Sequence, residues 1–272
     1  GQLLGRATTV FFNLSSANTN DAIDKLEGEY SPKFAAHFDS VYLNAKLFER
    51  IKTLHKNRET LGLDAQGVRL IERYYTDFMR SGANLTDAQK TRVKAINSEL
   101  ATLSTQFSQN VLAKKKNTAI IVSDRAELAG LTDEQIAGFA ESAKEKNMPG
   151  KYRIALVNTT IQPILPQLDN RALRERIHKA SVARGARGNE WDNRAIVSKV
   201  TKLRAERAAI MGYPSYAAFS MAEETAKNPE AVNAMLEKMA PPAVANARKE
   251  GAVLQAMIDS EQKAKGEKTF AL

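Results

Sequence analysis

The sequence predicts a mainly α protein: a multi-helix, bundle-like lobe with one small pair of short β-strands in the middle of the chain. Three observations carry this. Apolar residues recur every three or four positions along most of the 272 residues, the spacing that gathers them on one face of a 3.6-residue turn. Two capping boxes, TDAQ from Thr86 and TDEQ from Thr132, mark helix starts, because the Thr hydroxyl and the Gln side chain reciprocally satisfy backbone donors there. Only two short runs, 118–123 (TAIIVS) and 152–160 (YRIALVNTT), are rich enough in β-branched residues to read as strands.

The elements follow in order. Leu3, Ala7, Val10 and Leu14 keep helical spacing from the first residues, with no starting Met and no cap, so the chain is expected to begin inside a helix. From Pro32 to Lys56, one stripe runs through Phe34, Phe38, Val41, Ala45, Phe48 and Ile51, and from Asp64 to Arg80 a second runs through Val68, Ile71, Tyr75 and Phe78. The helix opened by Thr86 carries Val93, Ile96, Leu100, Leu103, Phe107 and Val111. It runs out at Ala113 into Lys114, Lys115 and Lys116, cations that the exposed carbonyls of a helix C-terminus favour. Thr132 to Lys146 reads as a helix between the two strands, which are expected to pair.

Pro163 and Pro166 then break the chain, and Asp169 is expected to cap a helix with Leu173, Ile177 and Ala180 on one face. The glycines Gly185 and Gly188 end it. A further helix from Asn193 to Met211 carries Ile196, Val200, Leu203 and Ile210 and stops at Gly212, where a left-handed terminal residue is cheapest without a β-carbon. After Pro214, Asn228 with Pro229 opens the next helix, and Pro241 with Pro242 opens the last, through Val244, Ala247, Leu254 and Ile258. The reading is one lobe over 1–272: helices over about 3–113, a strand–helix–strand insert over about 118–160, and helices over about 169–262.

Composition removes several chemistries. With no cysteine there is no disulfide framework, thiolate metal site or cysteine nucleophile. The three histidines, His37, His55 and His178, are followed by FDSV, KNRE and KASV, so none begins an HExxH pair able to grip one ion from adjacent helical turns. No serine lies in a GxSxG turn and no glycine-rich phosphate loop appears. No apolar run approaches the ~20 residues of a membrane span, and no secretory pattern opens the chain. His55, on the stripe of its helix, reads as a packed or partly exposed histidine rather than a catalytic one. No residue is assigned a catalytic, cofactor or metal role from chemistry alone.

The net charge of +9 is local. Residues 171–207 hold eleven Lys or Arg against four Asp or Glu, seven of the nine surplus charges. The loop SVARGARGNEWDNR resembles an Arg and Gly nucleic-acid segment with Trp191 available for stacking. A solvated helical face gives the same pattern, because the arginines alternate with apolar positions.

Several stretches, taken together and in order, resemble a known family. ATTVFFNLSSANTND (7–21), VYLNAKLFERI (41–51), LTDAQKTRVKAINSELATLSTQFSQNVL (85–112), NTTIQPILPQLDNRALRERI (158–177) and IMGYPSYAAFSMAEETAKNPEAV (210–232) are similar to the N-terminal half of the thimet oligopeptidase family of zinc metallopeptidases, in its bacterial peptidyl-dipeptidase form. The resemblance implies a helical channel-wall lobe. It also implies oligopeptide substrates, and a zinc site on an HExxH helix in a C-terminal half, where the motif glutamate activates zinc-bound water. This sequence reaches Phe270, Ala271 and Leu272 before such a motif, so no family catalytic or metal residue is carried onto it. Zinc is therefore expected in the parent enzyme and not in this chain, with the C-terminal half as its partner. Neither nucleic acid nor membrane is expected as a partner, and the location is expected to be cytoplasmic. Arg184 and Arg187 are candidate contacts for peptide carboxylates in the channel. The alternative is a free-standing interaction or nucleic-acid module built on 171–207.

Overall fold

The computed structural model describes residues 1–117 and 119–272, the side chains of 113–117 and 158 excepted. The Lys114–Lys116 side chains and Thr118 therefore lie outside the described residues. The fold is mainly helical: eleven α-helices, two 3-10 turns and one two-stranded sheet among the described residues. The chain divides into two compact units, Gly1–Arg204 and Ala205–Leu272.

In the first unit, α1 (Gln2–Ala17) and α2 (Asp21–Tyr42) are followed by α3 (Ala45–Asn57) and α4 (Ala65–Ser81). The single stripe expected from Pro32 to Lys56 is two helices. Pro32 lies inside α2, and the break at Leu43 and Asn44 comes from a cap, since the Asn44 side chain accepts from the Leu47 N–H at 3.0 Å and starts α3 anew. Asp64 caps α4 in the same way, and Gly82 ends it in the left-handed conformation. An aromatic cluster joins these helices: Phe48 stacks on Phe78 and Tyr75, Tyr42 leans on Phe78, and His55 lies parallel to Tyr75 with centroids 4.0 Å apart. His55 is thus a packed ring.

The long α5 (Asp87–Asn117) opens with its capping box, the Thr86 N–H donating to Gln89 Oε1 and the Gln89 N–H to Thr86 Oγ1. It packs along α2, where Asn97 Nδ2 donates to Asp39 Oδ1 at 2.7 Å and Gln109 Nε2 donates to the Asp24 carbonyl at 2.6 Å. Val93 and Ile96 are fully buried. Phe107 and Val111, expected on the same buried stripe, are exposed and face the cleft described below.

Strand β1 (Ala119–Val122) pairs antiparallel with β2 (Tyr152–Ala155), with Ala119 opposite Ala155 and Val122 opposite Tyr152. The second strand is shorter than its β-branched run, ending at Ala155. Asn158–Ile164 then forms α7, with Pro163 near its end. Between the strands lies α6 (Asp133–Lys144), opened by the second capping box, Thr132 with Gln135. α8 (Arg171–Val182) is capped by Asn170, not Asp169: the Asn170 side chain accepts from the Leu173 N–H, while the Asp169 N–H is committed to the Ala129 carbonyl. Val122, Leu128, Ile136, Ile154, Leu156, Ile161, Ile164, Leu168, Leu173 and Ile177 form one core under the sheet, α6, α7 and α8. α9 (Arg194–Ile210) follows.

In the second unit, Gly212 terminates α9 at φ +83, and Ser215 caps the short α10 (Tyr216–Met221). Phe219 packs edge-on to Tyr213 and beneath the Arg207 guanidinium. Asn228 caps α11 (Pro229–Lys265), a single helix of 37 residues that passes through Pro241 and Pro242. Two helices were expected there. The helix continues because both prolines sit on an exposed stretch, where water can satisfy the Glu237 and Lys238 carbonyls that lose their N–H partners. The residues after Gly266 fold back on α11: Gln255 Nε2 donates to the Phe270 carbonyl, and the Leu272 N–H donates to Gln255 Oε1.

Candidate functional site

Several cations of the basic segment are tied to the fold while their side chains stay exposed to solvent. Arg174 Nη1 donates to the Leu168 and Asp169 carbonyls. Arg176 pairs with Glu127 at 3.0 Å and donates to the Ile121 carbonyl, tying α8 to β1. Lys179 pairs with Glu175, and Lys199 with Glu99 of α5. A positive count in sequence here becomes a set of tethers.

The turn between α8 and α9 is built from three devices. Gly185 and Gly188 adopt left-handed conformations, φ +77 and +69, that a β-carbon would strain. The Asp192 carboxylate accepts from the Gly188 N–H at 2.6 Å, from the Arg194 N–H at 2.9 Å, and from Arg194 Nη2 at 2.7 Å. Asn193, buried, donates through Nδ2 to the Phe107 carbonyl, accepts at Oδ1 from Asn110 Nδ2 at 2.9 Å, and donates its backbone N–H to the Gly185 carbonyl. One side chain thereby binds the turn to α5.

The Arg194 guanidinium, followed by the backbone N–H groups of Arg194 and Gly188, holds the Asp192 carboxyl far below its ordinary value. Because ionisation is favoured in the folded state, this contribution is complete above the unfolded carboxylate range and is lost progressively as pH falls from there through the depressed folded value. We expect Trp191 emission, reporting on this turn, to stay flat through the ordinary carboxylate range and to change only in stronger acid. In Asp192→Asn that acid transition should vanish. A midpoint at the ordinary aspartate pKa would show that the bracket does not hold in solution.

Against this turn lies a cleft of about 880 Å³. Its walls are Phe107 and Val111 of α5, Leu156 and Val157 after β2, Val197 of α9, and Trp191, with Asn110, Thr159, Arg184 and Ser198 supplying polar groups. The size is typical of a ligand site, as is the combination of an apolar lining with a few polar groups. Arg184 reaches it with Nε donating to the Ser181 carbonyl at 3.0 Å and Nη1 lying 3.5 Å from the Leu156 carbonyl. Arg187 turns away, its Nη2 donating to the Ala180 carbonyl at the end of α8, where a cation is favoured. The two candidate residues are therefore placed differently.

Spacing gave no hint of Asn110, Asn193, Thr159 or Ser198, single polar residues whose meaning depends on which elements meet. Trp191 was visible as a lone aromatic in a basic loop, but its place on a cleft wall was not. A second cleft of about 320 Å³, between Val41, Tyr42, Leu47, Ile51, Leu54, Ile71, Tyr74 and Phe78, is lined almost wholly by apolar groups. Among the described residues no three His, Asp or Glu side chains converge as a metal site. His37, His55 and His178 lie on α2, α3 and α8, so the donor set does not fit a zinc ion. Among the described residues no helix is long and apolar enough to cross a membrane.

Comparison with known proteins defines the class. Residues 164–270 match the profile of Peptidase family M3. The chain belongs to this peptidase family, the thimet oligopeptidase family that its ordered stretches resemble. Among individual relatives, it is 40% identical to the dipeptidyl carboxypeptidase of Escherichia coli (strain K12) over 262 residues, which are 96% of this chain and 38% of that protein. The Salmonella typhimurium dipeptidyl carboxypeptidase is 39% identical over the same shares, and oligopeptidase A of Haemophilus influenzae is 28% identical over 95% and 38%. The chain thus spans 38% of the length of these curated relatives.

Proposed function

We propose that this chain is the N-terminal, channel-wall lobe of a longer zinc peptidyl-dipeptidase that releases dipeptides from the C-termini of oligopeptides, and that the lobe alone is inactive. The observation that carries the reading is the identity of 40% over 96% of this chain against 38% of a dipeptidyl carboxypeptidase. One feature supports it. Large apolar side chains are exposed on α1, with Leu3 80% and Val10 60% accessible, and on α11 at Met235, Met239 and Met257, as expected where a further half would pack.

In such an enzyme the lobe contributes by shape, admitting flexible peptides and excluding folded proteins, while zinc would supply the polarising charge and activated water in the other half. Arg184 and Arg187 would add positive potential that draws peptide carboxylates inward. The test is direct. The purified chain should retain no stoichiometric zinc after dialysis and should release no dipeptide from a blocked oligopeptide. Tight binding of one zinc per chain together with peptide cleavage would overturn the assignment of inactivity.

A further inference from the structure

The cleft beside the α8–α9 turn lies wholly within the first unit, and its walls combine rings with aliphatic side chains. Phe107 and Val111 of α5 are 40% and 51% accessible and Val197 of α9 is 50% accessible, so a flat apolar molecule entering between them and Trp191 would take out of water surface that the fold leaves wet. The two cations of the wall are already engaged by groups of the protein. Asp192 grips Arg194 through Nε and Nη2, and the Arg184 guanidinium is directed at backbone carbonyls, Nε at Ser181 and Nη1 at Leu156. A charged ligand would give up its hydration here for cations that already have acceptors. The Asn193 amide is engaged in the same way, by Asn110 and the Phe107 carbonyl. The hydroxyls of Thr159 and Ser198 add neutral groups beside the apolar surface, each able to donate or accept.

We infer that this cleft is a binding site for an uncharged aromatic molecule of fused rings bearing a hydroxyl or carbonyl group, with its rings against Phe107, Val197 and Trp191 and its polar atom at Ser198 or Thr159. A cavity of about 880 Å³ has room for such a ligand. Aromatic faces on the ligand match the rings of the wall, which gain from offset or edge-on contact beyond the area they bury. The site uses no metal and no step of peptide hydrolysis, so it does not rest on the peptidase reading.

The single tryptophan of the chain is a wall residue of this cleft, so in nitrogen-15-labelled protein the one indole N–H resonance reports on the site. Titrating the purified chain with 1-naphthylmethanol should move that resonance saturably. Naphthalene-1-carboxylate and 1-naphthylmethylammonium, with the same rings and nearly the same size, should bind about tenfold more weakly or worse, because each carries a charge into a largely apolar space. Ser198→Ala combined with Thr159→Val, both at exposed positions, should weaken the alcohol by about threefold to tenfold and leave 1-methylnaphthalene unchanged, since only the alcohol loses a hydrogen-bond partner. Val197→Phe, which fills the cleft from a half-exposed helical position, should abolish binding of every one of these compounds. A stationary indole resonance, a carboxylate or ammonium that binds as tightly as the alcohol, an alcohol indifferent to the loss of both hydroxyls, or full binding by Val197→Phe would overturn the proposal. Should Val197→Phe fail to fold, the charge series on the unaltered chain and the paired hydroxyl variant still decide it.

Discussion

Gly130→Ala is expected to destabilise the first unit by about 3–5 kcal/mol, among the largest effects any single methyl group could have here. Gly130 adopts φ +91 beside the 3-10 turn at Arg125–Leu128, and a β-carbon at that position would lie 2.0 Å from the Gln167 carbonyl oxygen and 3.0 Å from the Asp169 nitrogen. Both neighbours are backbone, so no rotamer change can relieve the overlap, and the Asp169 N–H to Ala129 hydrogen bond that joins the two segments would have to stretch. Gly138→Ala is the matched control. Gly138 lies inside α6 with open space around its missing β-carbon, so the same methyl should stabilise by about 0.5–1 kcal/mol. Urea midpoints of the two variants should move in opposite directions. A Gly130→Ala protein with an unchanged midpoint would mean that these two segments do not meet as described.

Leu173→Ala should cost about 3–4 kcal/mol, the transfer free energy of the removed atoms plus the cavity they leave. Leu173 is fully buried in the core with Ile154, Ile177 and Leu128, a core fed from the sheet, a 3-10 turn and α8, so no single neighbour can collapse into the gap. Val182→Ala, near the end of the same helix and 68% exposed, should stay within about 0.5 kcal/mol of the parent. Equal losses at the two positions in urea titrations would contradict this packing.

The helices were legible because their determinants are local. Thr86 and Thr132 announce their boxes within four residues, and the spacing of Leu173 and Ile177 marks a buried face without any knowledge of what covers it. The departures arose where a local signal had a rival. Asn44 split one stripe into two helices, Asn170 took the cap expected of Asp169, and Pro241 and Pro242 were absorbed because their surroundings are wet. The cleft was scarcely legible. Phe107 and Val111 continue the α5 stripe so smoothly that only the positions of Leu156 and Val197 reveal that they face a ligand-sized space. Arg184 and Arg187 are three residues apart in one basic loop, and nothing in that spacing says that the first reaches the cleft while the second closes a helix end.

The adjacent prolines of α11 carry a mechanical consequence. Each removes one rung of the hydrogen-bond ladder, so the Glu237 and Lys238 carbonyls have no N–H to hold them, and their rings press against the preceding turn. Bending stiffness along a helix comes from that ladder. α11 therefore behaves as two stiff rods sharing an axis at one compliant joint, and its two ends can change direction by small angles without any residue leaving the helix.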